Sequence, residues 1–232
     1  MSNHLNIARR PKKPPRNPNV CAFCGSEDAT TRDHVPPQGI FFEPLPPNLI
    51  TVDACDRCNN SVSRDDGRFR AMVSLAVGPA TPELREWFSG PVLRGIKRDR
   101  GMHDELLRNT RSVAVRTAAG LYLGQQTVTE MHIEPYERTL AKITRGLYFH
   151  HYGEVLPRDT PVVPCDFKLS PEEMKETLRK LTMARVGDGK QFQYAYGRAS
   201  DDPRASVWFY LFHERHLVSA YTGRRPHRDK DE

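Results

Sequence analysis

The chain has 232 residues, of which 35 are Lys or Arg and 29 are Asp or Glu, and its net charge at pH 7 is +6. This length allows one large domain or two small ones. No apolar run approaches the roughly 18 residues of a membrane span, and none follows the N-terminus as a secretory signal would require. We therefore expect a cytoplasmic protein that makes no contact with a membrane.

The positive charge is unevenly distributed along the chain. Residues 1–20 hold five basic residues, four prolines and no acid, whereas residues 21–66 hold eight acidic residues against three basic ones. Residues 1–20 have too few apolar side chains to offset the entropy lost on ordering, so we expect them to form a flexible arm. Because the arm is basic, we expect it to contact phosphates. The basic residues of this arm are Arg9, Arg10, Lys12, Lys13 and Arg16.

In the first half of the chain, short strands are predicted at about 29–35 and 48–53, on either side of a proline-rich irregular loop. A helix is predicted from Ser63 up to Gly78-Pro79, which would end it. A second helix should begin with Thr81 as its N-cap and Pro82 in its first turn, burying Trp87 and Phe88.

The second half of the chain mixes strand and helix patterns, so the fold class is α+β. Alternating aromatic residues at 192, 194 and 196 favour one sheet face packed on a core over a base-stacking surface. For His150 and His151 we predict packing and surface roles rather than metal binding. The predicted elements are strands at 113–117, 121–123 and 128–133, a helix at 136–148, a strand at 162–169, a helix from Ser170 to about Met183, and strands at 207–212 and 217–221.

Four of the five cysteines form two CxxC pairs, Cys21 with Cys24 and Cys55 with Cys58. Each pair places two thiolates on one tight turn, and two such turns complete a tetrahedral four-sulfur site. In a chain without an export signal this spacing favours a structural zinc ion over disulfides. Cys165 remains as an ordinary buried thiol.

Polar residues with metal-binding and acid–base chemistry lie between the two cysteine pairs and directly after them. Asp33-His34 ends the first predicted strand, Asn48 precedes the second, and Asn59-Asn60 follow the last zinc-binding cysteine. Neighbouring side chains diverge on a strand, so Asp33 offers a hard oxygen ligand and His34 a base directed elsewhere. An amide oxygen from Asn59 or Asn60 would add a third donor. These donors indicate a divalent-cation site with open coordination positions, as catalytic metal sites have.

These motifs together resemble those of HNH endonucleases of the ββα-metal class, in the four-cysteine zinc variety. The matching segments are Thr31-Arg-Asp-His-Val-Pro-Pro, Asn48-Leu-Ile-Thr-Val and Cys55-Asp-Arg-Cys58-Asn59, all within residues 21–66, about a fifth of the chain. The resemblance implies a zinc-stapled ββα-metal module, which we assign to residues 21–78. It would be followed by an α+β domain of unassigned role at 79–222 and a charged tail at 223–232.

The resemblance also implies a role for each motif residue. His34 would be the general base, Asp33 and Asn59 would ligate a magnesium ion, and Asn48 would brace the loop and orient the His34 ring. Arg32, beside Asp33, would join the basic arm in contacting nucleic acid. The products would carry a 5′-phosphate and a 3′-hydroxyl.

Some assignments stay open at this point. Asn60 is an alternative to Asn59, and Arg64 is the nearest basic residue where the family often has one after its third motif. For Asp65 and Asp66 we predict helix-terminal and surface roles rather than metal binding.

The sequence therefore predicts a metal-dependent endonuclease that acts on DNA rather than RNA, with a homodimer as one way to cut both strands. A non-cleaving zinc nucleic-acid-binding protein on a degenerate HNH scaffold is the alternative, and a thiol redox protein is a third. The joint presence of Asp33, His34, Asn48 and Asn59 favours the enzyme, because a binding scaffold would need only the cysteines.

Overall fold

The computed structural model describes residues 19–61, 63–165 and 169–223. Helices account for 39% of the chain and strands for 27%, so the predicted α+β class is confirmed. Within these ranges no helix combines the length and the apolar composition that crossing a membrane requires. The predicted basic arm, apart from its last two residues, lies outside the described residues, as does the charged tail after Gly223.

The elements of the described ranges are, in chain order, β1 (Thr31–His34), a 3-10 turn (Gln38–Ile40), β2 (Thr51–Ala54), α1 (Asp56–Asn60), α2 (Ser63–Val77), α3 (Pro82–Trp87), a π-helical segment (Phe88–Val92), α4 (Leu93–Arg98), α5 (Arg100–Asn109), β3 (Thr110–Arg116), β4 (Tyr122–Thr129), α6 (Glu134–Tyr152), β5 (Val162–Cys165), α7 (Pro171–Lys180), β6 (Thr182–Val186), β7 (Phe192–Arg198), β8 (Ser206–Phe212) and β9 (His216–Thr222).

The N-terminal part is an antiparallel hairpin of β1 and β2, followed by helices α1 and α2. Thr31 lies opposite Ala54 and His34 opposite Thr51. The two strands confirm the predicted pair, and the connection between them contains only the 3-10 turn. Helix α2 stops before Gly78, whose φ of +70° suits glycine and ends a helix.

The predicted start of α3 is also confirmed. The Thr81 hydroxyl accepts a hydrogen bond from the Leu84 backbone N–H at 3.3 Å, and Pro82 is the first helical residue. Trp87 is buried as predicted, and Phe88 is partly buried. The helix then widens into the π-helical segment, which contains Pro91. Proline has no N–H to donate, and a π-helical turn accommodates its missing bond.

Strands β3 and β4 form a two-stranded ribbon, Thr110–Thr129, that is largely exposed on both faces. The prediction of three short strands in this region was wrong. The residues between the strands predicted at 121–123 and 128–133 belong to the continuous strand β4, in which Gly124 lies opposite Val115, and the register shifts between Val115 and Arg116. Residues 128–133 continue β4 and then lead into α6.

The C-terminal half is built on a five-stranded antiparallel sheet in the order β5-β9-β8-β7-β6. Its inner face carries Phe192, Tyr194 and Tyr196, all 3% exposed or less, so the predicted core role of this alternation is confirmed. The outer face packs Ala195 and Phe209 against helix α7. Helix α7 is shorter than predicted, because Met183 already belongs to β6.

Helix α6 connects the sheet to the N-terminal hairpin. Its Thr144 hydroxyl lies 2.8 Å from the Tyr210 hydroxyl of β8. On the hairpin side, a Cβ added at Gly146 would lie 2.6 Å from a Val35 methyl carbon, so only glycine allows this close packing. His151 packs on the Tyr196 ring with centroids 3.9 Å apart, as the predicted packing role requires.

One continuous cluster of buried side chains therefore runs through both predicted segments. It includes Phe69 of α2, Leu140 of α6 and Trp208 of β8. Helix α6 therefore packs directly against the hairpin and α2, where the predicted site lies.

Candidate active site

The four cysteines of the CxxC pairs come together in the structure. One sulfur atom of each lies within 4.8 Å of all the others, and Cys24 Sγ and Cys55 Sγ are 3.8 Å apart. In a tetrahedral site with metal–sulfur bonds of about 2.3 Å, the sulfurs are separated by about 3.8 Å. All four cysteines are free of disulfides. The cluster can therefore hold a metal ion.

The turn after the first pair explains how the sulfurs converge. Gly25 has a φ of +77° and donates its N–H to the Cys21 carbonyl at 2.8 Å, which closes the turn. The second pair sits at the start of α1, with Cys55 directly before the helix. Burial raises the pKa of the Cys21 and Cys58 thiols. At Cys24 burial is outweighed by hydrogen bonds with Ser26, which lower its pKa to about 6. A bound ion would favour the thiolate form of Cys21 and Cys58 in particular.

Asp33 and His34 end strand β1 and point to opposite faces of the hairpin. Asp33 is only 9% exposed, whereas His34 is half-buried and reaches solvent. The sequence prediction of diverging side chains at a strand end agrees with this arrangement. Thr31 shares the Asp33 face, because it lies two positions earlier.

Lys142 of α6 is the closest charged partner of Asp33. Its Nζ lies 2.6 Å from Asp33 Oδ2, and its side chain is only 10% exposed. The same ammonium lies 3.4 Å from the Asn59 carbonyl oxygen and 5.5 Å from the centre of the Phe23 ring. The contact with Asp33 has the distance of an ion pair, but Oδ2 accepts no hydrogen bond of good geometry within the described part of the chain. The carboxylate is thus neutralised without being held directionally.

A second carboxylate, that of Asp66, belongs to the same group. Burial raises its pKa to about 6, the charge of Lys142 acts against this, and the charge of Asp33 reinforces it. The Thr139 hydroxyl donates a hydrogen bond of 3.4 Å to its Oδ1. The neighbouring Asp65 is turned toward Arg138, with two contacts of 2.7 and 3.0 Å. The two acids of this helical turn therefore have different environments: Asp65 is paired with Arg138, whereas burial and the charges of Lys142 and Asp33 act on Asp66.

Asn59 lies on the Asp33 side of the hairpin. Its Nδ2 donates to the Thr31 hydroxyl at 3.1 Å, and Thr31 in turn donates to the Ala54 carbonyl at 2.8 Å. This bond leaves Oδ1 as the atom of Asn59 that can act as a metal ligand. Asn60 is exposed at the end of α1. Of the two asparagines, Asn59 is the one joined to the strand that carries Asp33.

Asn48 makes a long-range contact rather than a local one. Its Oδ1 accepts a hydrogen bond of 2.6 Å from the Gly187 N–H, in the turn between β6 and β7. The contact ties the hairpin connection to the sheet. An effect of Asn48 on the His34 ring stays a prediction.

The predicted phosphate-binding residues fall into two groups. Arg32 is exposed on β1, on the same strand face as His34. Arg9, Arg10, Lys12, Lys13 and Arg16 lie outside the described residues. Arg64 is exposed and lies 3.6 Å from Asp99, away from the carboxylates of the site.

Sequence reasoning missed Lys142 and gave Asp66 a surface role. Lys142 lies more than one hundred residues from Asp33 in the chain, and no motif marks it. The only signal is its spacing of four residues from Arg138, which puts both cations on one side of α6. The different environments of Asp65 and Asp66 depend on where α6 packs, because their partners Arg138 and Thr139 lie on that helix.

In comparisons with models of protein families, with curated proteins and with solved structures, nothing matches this chain. The site therefore has to be interpreted from its own geometry.

Proposed function

We propose that the protein is a metal-dependent endonuclease of the HNH type that hydrolyses phosphodiester bonds in DNA. The observation that carries the proposal is the arrangement around the end of β1. Buried Asp33 is paired with Lys142 and is near enough to Asp66 for its charge to raise the pKa of that carboxyl, and solvent-accessible His34 occupies the next position of the same strand. The cysteine cluster anchors both ends of this hairpin.

The donor atoms of the site fit a magnesium ion. Magnesium prefers carboxylate and carbonyl oxygens and keeps several of its waters. Asp33, Asp66 and the amide oxygen of Asn59 offer such atoms, and Asp33 Oδ2 is a buried oxygen without a directional hydrogen bond among the described residues. When bound, the cation supplies charge stabilisation at the phosphate and at the departing 3′ oxygen. The thiolates of the cysteine cluster fit a zinc ion, whose role is structural.

His34 provides the proton transfer. As the general base it accepts a proton from the water whose oxygen attacks phosphorus. The P–O3′ bond breaks and the departing 3′ oxygen takes up a proton from solvent, so the products carry a 5′-phosphate and a 3′-hydroxyl. Its half-buried position allows substrate to approach, and the strand determines the face of the hairpin on which the side chain lies. A positioned general base contributes typically about 10²–10⁴-fold to the rate.

A basic stretch supports nucleic acid as the substrate. Of the three acids between residues 94 and 116, Asp99 and Glu105 are held by Arg68 at 3.3 and 2.9 Å, and Asp104 is exposed. The exposed basic residues of the stretch are Arg94, Lys97, Arg98, Arg100, Arg108, Arg111 and Arg116. Their charge suits a polyanion, which the acidic hairpin region alone would repel.

The ribbon Thr110–Thr129 supports DNA over RNA. It has no carboxylate between residues 110 and 129 and carries Arg111 and Arg116 among Ser, Thr and Gln side chains. Glu130, directly after the ribbon, pairs with Arg111 at 2.6 Å, so Arg116 is the ribbon arginine without an acidic partner among the described residues. A two-stranded ribbon fits the major groove of B-form DNA, whereas the major groove of A-form RNA is too narrow for side chains to read.

Cleavage of supercoiled plasmid tests this function. Wild-type protein and a His132→Ala control, which changes an exposed histidine, should nick or cut the plasmid in Mg²⁺ and stop when a chelator is added. His34→Ala should lose the activity, and labelled fragments should carry 5′-phosphates. Equal cleavage by His34→Ala would refute the assigned base. Absence of cleavage with DNA and RNA would refute the enzyme.

One observation favours a second candidate, a zinc-containing protein that binds nucleic acid without cleaving it. Lys142 already neutralises Asp33, and a permanent ion pair would leave no carboxylate for a catalytic cation. In that case the protein should bind DNA equally well with and without Mg²⁺ and cleave it in neither condition.

A further inference from the structure

The position of Lys142 raises a question that the proposed function leaves open. A divalent cation at Asp33 would lie about 2.0–2.1 Å from a carboxylate oxygen. The Lys142 ammonium is 2.6 Å from that carboxylate's Oδ2. Two cations at such distances from one carboxylate repel each other strongly in a site as buried as this one.

The charge balance of the site also argues against binding of the cation and the ammonium at the same time. Asp33 and Asp66 together carry two negative charges when both are ionised, and Lys142 compensates one of them. Arg138 is engaged with Asp65 and leaves this balance unchanged. One divalent cation in place of the ammonium would neutralise the pair of carboxylates, whereas cation and ammonium together would leave an excess of positive charge.

We infer that Lys142 and the divalent cation are alternative occupants of Asp33, and that the cation binds by displacing the lysine ammonium. This inference rests on the proposed cation site of Asp33 and Asp66. In the cation-free protein Lys142 pairs with Asp33. Without this partner the buried carboxylate would be unpaired, and a buried unpaired charge strongly lowers the free energy of unfolding.

The side chain is suited to such an exchange. Lysine carries its charge on a flexible four-carbon stem, so the ammonium can move without displacement of α6. Its other contacts, with the Asn59 carbonyl and the Phe23 ring, are with uncharged groups. An ammonium that leaves Asp33 can therefore swing toward solvent, where water shields its charge from the cation.

Binding of Mn²⁺ alone, measured by titration calorimetry on the zinc-loaded protein, tests the exchange. Lys142→Met retains much of the side-chain volume but removes the competitor, so its Mn²⁺ Kd should fall by on the order of tenfold or more. Lys142→Arg retains the charge and should stay close to wild type. The control Lys180→Met, in an exposed pair with Glu176, should leave the Kd unchanged.

A measurement on the wild-type protein removes any dependence on the folding of the variants. Amine-reactive labelling, read by mass spectrometry, should modify Lys142 several-fold faster when Mn²⁺ is added, with Lys180 as an unaffected internal standard. Unchanged or slower labelling of Lys142, or an unchanged Kd in Lys142→Met, would overturn the exchange.

The outcomes separate this inference from the proposed function. Exchange without plasmid cleavage would refute the endonuclease but support the competition at Asp33. Plasmid cleavage together with an unchanged Mn²⁺ Kd in Lys142→Met would support the endonuclease but refute the competition at Asp33. No Mn²⁺ binding by any variant would overturn both the exchange and the cation site.

Discussion

Replacing Asp66 with Asn should stabilise the protein at neutral pH, although the change removes a charge from the proposed site. Burial is the main reason why the pKa of Asp66 is raised from its ordinary value of 3.8 to about 6. Ionised Asp66 is therefore a local destabilising group. Asn has nearly the same shape and can still accept the hydrogen bond from Thr139.

The size of the effect follows from the two pKa values. The difference between 3.8 and about 6 corresponds to about 3 kcal/mol at ~1.4 kcal/mol per pKa unit. Structural relaxation and residual solvent contact reduce this value, so we expect a gain in unfolding free energy of about 1–3 kcal/mol for Asp66→Asn at pH 8.

The gain should depend on pH in a defined direction. Because the folded pKa lies above the unfolded one, the wild type is penalised only where Asp66 is ionised. The penalty is small near pH 4, grows as the pH rises toward 6, and is constant above about pH 7. At pH 5 the gain from Asp66→Asn should therefore be about half of its value at pH 8.

Urea unfolding at pH 5 and pH 8, followed by tryptophan fluorescence without added divalent cation, measures both quantities. Asp65→Asn is the matched control: it breaks a partly exposed ion pair with Arg138 and should cost about 0–1 kcal/mol at both pH values. Destabilisation by Asp66→Asn at pH 8, or a gain independent of pH, would refute the assigned burial and charge of Asp66.

Two further predictions concern the metal cluster and the DNA-binding surface. Cys55→Ser should lower the zinc content from one ion per chain toward zero by elemental analysis, whereas Cys165→Ser should keep it; equal zinc in both would contradict the four-sulfur site. Arg111→Ala with Arg116→Ala should weaken DNA binding in fluorescence anisotropy and reduce the slope of log K against log salt by about 1–2, since each lost phosphate contact contributes about 0.9. Lys180→Ala should leave the slope unchanged, and an unchanged slope in the double variant would exclude the ribbon from the interface.

Elements with a local signal could be predicted from the sequence. The helix boundaries at Gly78 and Thr81 follow from a left-handed glycine and a capping hydroxyl, both of which act within one turn. The convergence of the four cysteines likewise follows from their spacing, because each CxxC turn forms its own pair of ligands. Asp33 and His34 could be placed on opposite strand faces by the two-residue period alone.

Other features depend on contacts that no local pattern encodes. Residues 124–127 separate the strands predicted at 121–123 and 128–133, yet pairing with β3 makes them part of one continuous strand, with Gly124 opposite Val115. The partner of Asp33 is contributed by α6, and the distinct environments of Asp65 and Asp66 arise from Arg138 and Lys142 on that helix. The packing of α6 thus determines which charges of the site are paired. The sequence motifs indicate which residue types the site contains, but they do not indicate these partners.

The single-turnover rate of DNA cleavage in Mg²⁺, compared between wild type and His34→Ala, tests the proposed function most directly. His34→Ala should be slower by about 10²–10⁴-fold, the usual contribution of a general base. Both proteins should keep the same zinc content and DNA affinity, since His34 takes no part in either. Equal rates, or no metal-dependent cleavage by the wild type, would contradict the assignment of this site to phosphodiester hydrolysis.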